Sequence, residues 1–190
     1  MLDFAMEYDR PLAIRYPRGT AYRGLKEFAM PIAYGKGEML FEESGIALLA
    51  VGSMVSTGEH VREKLKSQGL SCSLANGRFV KPFDEELVDR LAKRHSLIVT
   101  MEENVLQGGY GLAVTAYIHE HYPQVRVLNI ALPDAYVEHG NVSVLREGLG
   151  IDSDSIIRTM KEGSAAKMEA VHKILDGGVT KGTIKLTVPS

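Results

Sequence analysis

Two arginines set three residues apart carry the clearest chemical possibility in this chain. Arg15 and Arg18 lie in the run Pro11 to Gly19, where Leu12 to Ile14 has the apolar character of a strand and Pro17 and Gly19 end it. Guanidinium groups fixed at the mouth of a strand can grip a phosphate through paired, charge-assisted hydrogen bonds. The same side chains serve equally well in ion pairs with surface carboxylates, so the residues alone leave both roles open.

Other chemistry-bearing residues point less far. Gly52-Ser53 follows an apolar run and could place backbone N–H groups at a helix start, although a serine cap explains it as well and no lysine or second glycine completes a phosphate loop. The run Gln107-Gly108-Gly109-Tyr110-Gly111 departs from the dinucleotide fingerprint and is expected to let a helix approach the sheet or a partner subunit closely. Glu102 and Glu103 are adjacent, so on a strand they face opposite ways, which disfavours a carboxylate acid and base pair. His119 and His121 are too close for a helical metal pair, and no zinc site is expected. His139 sits in a loop after a strand, with a packing or interface role expected. The single cysteine, Cys72, has no partner for an internal disulfide and reads as a small core residue.

These groups need a scaffold, and from Ser44 onward the pattern supplies one. Ile46 to Val51 is a continuous apolar run, suited to a strand covered on both faces. Met54 to Gln68 reads as an amphipathic helix closed by Gly69, and Leu70 to Leu74 as a second strand. Asp84 caps a helix from Glu85 to about His95, with Leu97 to Met101 as the third strand. A helix from Gly111 to His121 and a strand from Val125 to Ala131 follow, then short helices over Val142 to Leu149, Asp152 to Lys161 and Ser164 to Leu175. Strands alternating with helices predict an α/β fold, a mainly parallel sheet with helices on both faces. Ahead of it, Leu2 to Met6 reads as a helix, Leu12 to Arg15 as a strand, and Gly35 to Phe41 as an edge strand. The last stretch, Gly177 to Ser190, reads as an edge strand or a tail.

Composition limits the partners. With 190 residues, 45% of them hydrophobic, and a formal charge of −2, the chain can bury a real core and has no basic field for nucleic acid or anionic lipid. No membrane segment or signal-peptide pattern is visible, so a cytoplasmic location is expected.

Five ordered stretches carry a resemblance. Arg15-Tyr16-Pro17-Arg18-Gly19, Gly77 to Asp84, Glu102-Glu103-Asn104 with Gly108-Gly109, Leu128 to Asp134, and Glu138-His139-Gly140 resemble the 1-deoxy-D-xylulose-5-phosphate synthase family of transketolase-like enzymes. The likeness runs from Met1 to about Lys161. It implies the carboxyl-terminal part of a homodimeric transferase, dependent on thiamine diphosphate and Mg2+, that supplies isoprenoid and thiamine precursors. Such enzymes decarboxylate pyruvate and add the two-carbon unit to D-glyceraldehyde 3-phosphate. By the same likeness Arg18, with Arg15 beside it, clamps the phosphate of the aldehyde. Residues 1–18 are then the end of a pyrimidine-binding domain, 19–43 a linker, 44–162 the transketolase carboxyl-terminal domain, and 163–190 an extension of no assigned role. The family's Gly-Asp-Gly motif and activating glutamate are missing from these residues. The chain alone is therefore expected to hold no cofactor or metal, to contribute no catalytic residue and to be inactive. The alternatives are the equivalent domain of a transketolase or a 2-oxoacid dehydrogenase β subunit, or a non-catalytic dimerisation module.

Overall fold

The apolar run after Ser44 forms the middle of the sheet in the computed structural model, which describes residues 1–16 and 22–162. The chain divides into two units, Met1–Ile157 and Arg158–Ser190. The fold below is that of the first; of the second, residues 158–162 are described and are helical.

In chain order the elements are α1 (Leu2–Glu7), β1 (Glu38–Phe41), β2 (Gly45–Ala50), α2 (Met54–Ser67), β3 (Cys72–Asn76), α3 (Glu85–Ala92), β4 (His95–Val105), α4 (Tyr110–His121), β5 (Arg126–Leu132) and α5 (Val142–Gly148). Helix returns over residues 153–162. The strands lie in the order β1-β3-β2-β4-β5; all pairs are parallel except β1 with β3. Parallel neighbours need crossovers, and α2, α3 and α4 provide them.

Helices cover both faces. Ala47, Leu49, Ala75 and Ile98 pack with Leu87, Val88 and Leu91 of α3 and Val114 and Ile118 of α4. On the other face α2 lies so close that a Cβ at Gly58 would stand 2.8 Å from Leu74 and 3.8 Å from Ala50. Ala47 to Ala50 are wholly buried, as a strand between two helix layers must be.

Several boundaries differ from the sequence expectation, each for a physical reason. Leu12 to Arg15 forms no strand; these residues are exposed and irregular, because among the described residues no neighbouring strand offers a ladder for their backbone groups. The strand expected at Leu70 starts at Cys72, since Leu70 belongs to the end of α2. Its N–H donates to Leu65 O at 3.0 Å and that of Gly69 to Lys66 O at 3.0 Å, a Schellman closure with Gly69 at φ +76°. Helix α3 stops at Ala92 and His95 opens β4 instead, its ring held between Leu91 O at 2.8 Å and Ser73 Oγ at 2.9 Å. Strand β4 runs to Val105, four residues past its expected end, and so carries both Glu102 and Glu103. The edge strand is shorter than expected but present as β1. The expected helix over Ser164 to Leu175 and the stretch Gly177 to Ser190 lie outside the described residues.

Candidate functional site at the carboxyl edge of the sheet

Ligands of open α/β sheets bind beyond the carboxyl ends of the strands, and here that edge gathers Gly52-Ser53, Asn76 to Arg78 and the Glu102-Glu103 pair. Alternation along β4 sends the two carboxylates to opposite faces, and each has a separate task.

Glu102, 3% exposed, turns to α4. Its Oε2 accepts the N–H of Tyr110 at 3.0 Å and its Oε1 that of Gly111 at 2.7 Å. A helix N-terminus that would attract an external anion is thus filled by the chain's own carboxylate. The glycines make this contact possible. A Cβ at position 109 would stand 2.4 Å from Val105 O, and one at 111 would stand 2.6 Å from Thr100 Oγ1.

Glu103 turns the other way and joins three distant segments. Its Oε1 accepts from Arg146 of α5, Nε at 2.8 Å and Nη2 at 2.5 Å. Its Oε2 accepts the hydroxyl of Ser53, and its main-chain oxygen accepts Nη2 of Arg15 at 2.7 Å. Ser53, which the sequence suggests as a helix cap, sits at the N-cap of α2 but makes no side-chain cap bond, because its hydroxyl goes to Glu103.

Arg15 therefore reaches the site, and it does so through an uncharged acceptor. Among the described residues no carboxylate forms an ion pair with it. Arg18, with Pro17 and Gly19, lies outside the described residues. Arg78 behaves differently from Arg15. It takes a left-handed backbone, φ +52°, and its guanidinium forms a buried ion pair with Glu38, so its charge is already met. The amino-terminal segment is also seated here by rings: Phe4 meets Phe79 edge-on at 5.7 Å, and Tyr34 stacks on Tyr8 at 5.2 Å.

The remaining candidates stay apart from this edge. Cys72 is 1% exposed and burial pushes its thiol up to about 12, which suits a core residue. His139 is exposed in the loop after β5, and so are His119 and His121 on α4. Among the described residues no group of three or more His, Cys, Asp or Glu side chains could hold a metal ion. The start of α4 is filled by Glu102 and is closed to an external anion. No described helix is long and apolar enough to cross a membrane.

Glu103, Ser53 and Arg146 were not singled out from the sequence as a group. Strand alternation points Glu103 toward the face of the β2–α2 turn, a signal available in principle. Nothing local marks Arg146, which arrives from 43 residues away through the packing of α5.

The comparisons with known proteins agree with this architecture. The model of the transketolase carboxyl-terminal domain matches residues 35–156. A 1-deoxy-D-xylulose-5-phosphate synthase of Lachnoclostridium phytofermentans is 49% identical over 158 residues, covering 83% of this chain and 25% of that protein. Its counterpart in Heliobacterium modesticaldum is 40% identical over 163 residues, covering 85% and 25%. The chain thus spans about a quarter of the length of these relatives. Among solved structures, one described as a split gene transketolase, inactive beta4 tetramer, superposes with a TM-score of 0.66 at 25% identity, over 70% of this chain and 43% of that one. A mainly parallel sheet covered on both faces and a family model over residues 35–156 place the chain in one family: it belongs to the transketolase carboxyl-terminal domain family.

Proposed function

We propose that this chain supplies the phosphate-gripping edge of a transferase that condenses pyruvate, with loss of CO2, and D-glyceraldehyde 3-phosphate to 1-deoxy-D-xylulose 5-phosphate. One observation carries the reading at the level of residues. Arg15 is held at the carboxyl edge of the sheet by a neutral carbonyl, so its position is fixed while its charge stays uncancelled. An arginine meant only for an ion pair would be matched by a carboxylate, as Arg78 is by Glu38. Arg18, three residues on, is the proposed direct contact to the phosphate and Arg15 its neighbour.

In this reading residues 1–18 close a pyrimidine-binding domain, 19–43 link it to the domain at 44–162, and 163–190 are an extension. The complete enzyme is a cytoplasmic homodimer. It takes thiamine diphosphate and Mg2+, which supply the electron sink for decarboxylation, on residues other than those described here. The chain by itself binds neither and turns nothing over.

Product analysis of the complete synthase containing these residues tests the assignment. Given pyruvate and D-glyceraldehyde 3-phosphate, it releases CO2 and forms 1-deoxy-D-xylulose 5-phosphate in equal amounts. Two-carbon transfer from a ketose phosphate, with pyruvate unused, would instead assign the domain to a transketolase.

A further inference from the structure

Among the described residues Arg15 forms no ion pair, although the residue whose main-chain oxygen holds it also carries a carboxylate. Glu103 offers Arg15 its main-chain oxygen at 2.7 Å, and the side chain of that same residue is the natural competitor for the guanidinium. Both carboxylate oxygens are already committed, Oε1 to two nitrogens of Arg146 and Oε2 to Ser53. The Arg146 and Glu103 side chains are 27% and 28% exposed, so their attraction is only partly screened by water. Arg146 also brings its charge from a separate element, α5, so the arrangement depends on tertiary packing.

We propose that Arg146 is a positioning residue that keeps Glu103 from neutralising Arg15, and thereby holds Arg15 available to a phosphate. This rests on the phosphate-gripping reading above. Two positive groups and one negative group then leave a net positive charge at the edge, and that charge sits on Arg15. Without Arg146 the freed carboxylate pairs with Arg15 and repels the incoming anion.

A rescue experiment separates this from a merely structural ion pair. Inorganic phosphate and D-glyceraldehyde 3-phosphate are titrated into the 190-residue chain and followed by the Nε–Hε resonances of its arginines, for the parent, Arg146→Met, Glu103→Gln, the double variant and Arg15→Ala. Circular dichroism confirms that each is folded. Arg146→Met weakens phosphate binding roughly tenfold, and adding Glu103→Gln returns it to within about threefold of the parent, because the competitor is gone. A double variant as weak as Arg146→Met, or an Arg146→Met chain that binds like the parent, would overturn the proposal.

The arms keep the two readings distinct. If the parent binds no phosphate, the phosphate-gripping reading fails; if Arg15→Ala alone binds as the parent does, the grip rests on Arg18 and Arg15 takes no part in it. The charge-balance claim is then decided by the Arg15 resonance alone. It stands if the resonance moves to a carboxylate-paired position in Arg146→Met and returns in the double variant, and it falls if the resonance does not move.

Discussion

At the scale of single residues, two neighbouring glutamates show how one step along a strand divides labour. Glu102 is buried and serves the fold, closing the first turn of α4. Replacing it with Ala leaves two buried N–H groups without acceptors and lowers unfolding free energy by about 1–3 kcal/mol per unsatisfied group, measured by urea melts. Glu102→Gln, which keeps one carbonyl acceptor, loses less. The opposite directions of the pair are legible from strand alternation alone. Their partners are not, because an N–H group at a helix start and an arginine from α5 reach them only after the elements have packed. Cys72 gives a second test. With burial pushing its thiol up to about 12, the protonated form persists in the folded protein across neutral and mildly alkaline pH. Since an unfolded thiol titrates near 8.5, the unfolded state sheds its proton first and stability declines as pH rises from about 8.5 toward 12. Labelling by a disulfide reagent at pH 8 therefore proceeds only at the rate of opening and accelerates sharply in denaturant; fast labelling of the native protein contradicts this burial.

At the scale of elements, the strongest sequence signals are those in which pattern and burial agree. The unbroken apolar run of β2 and the amphipathic faces of α2 and α3 are read directly, because a strand between two helix layers favours apolar side chains on both faces. Leu49→Ala, at a fully buried position on the α3–α4 face, costs about 2–5 kcal/mol of stability by thermal or urea unfolding. A cost well below that range would mean this layer is not closely packed. The expectation fails where local composition competes with partners. Leu12 to Arg15 has strand-like residues and, among the described residues, no strand beside it, so its backbone stays irregular. Leu70 is apolar but is drawn into the closure of α2, which moves the start of β3 by two residues. His95 reads as the end of a helix, yet its two ring bonds place it at the start of β4.

At the scale of the whole molecule, the amino-terminal segment and the parallel sheet meet at one edge, and that meeting gives Arg15 its importance. The rings of Phe4, Tyr8, Tyr34 and Phe79 seat the segment, while Glu103 fixes its arginine. A sequence motif can name Arg15 and Arg18, but it cannot show that the first is held by an uncharged acceptor beside an occupied carboxylate. That follows from three segments converging on one residue. The chain spans about a quarter of its matched relatives, so the consequence for turnover under the proposed function is read in a complete synthase containing these residues. The most direct measurement is the Michaelis constant for each substrate in the Arg18→Ala variant of that enzyme. Loss of a charge-assisted phosphate contact, about 1.5–3 kcal/mol, raises KM for D-glyceraldehyde 3-phosphate roughly ten- to a hundredfold and leaves KM for pyruvate within about twofold. An unchanged constant for the aldehyde phosphate, or an equal rise for both substrates, would contradict the assignment of this edge to phosphate.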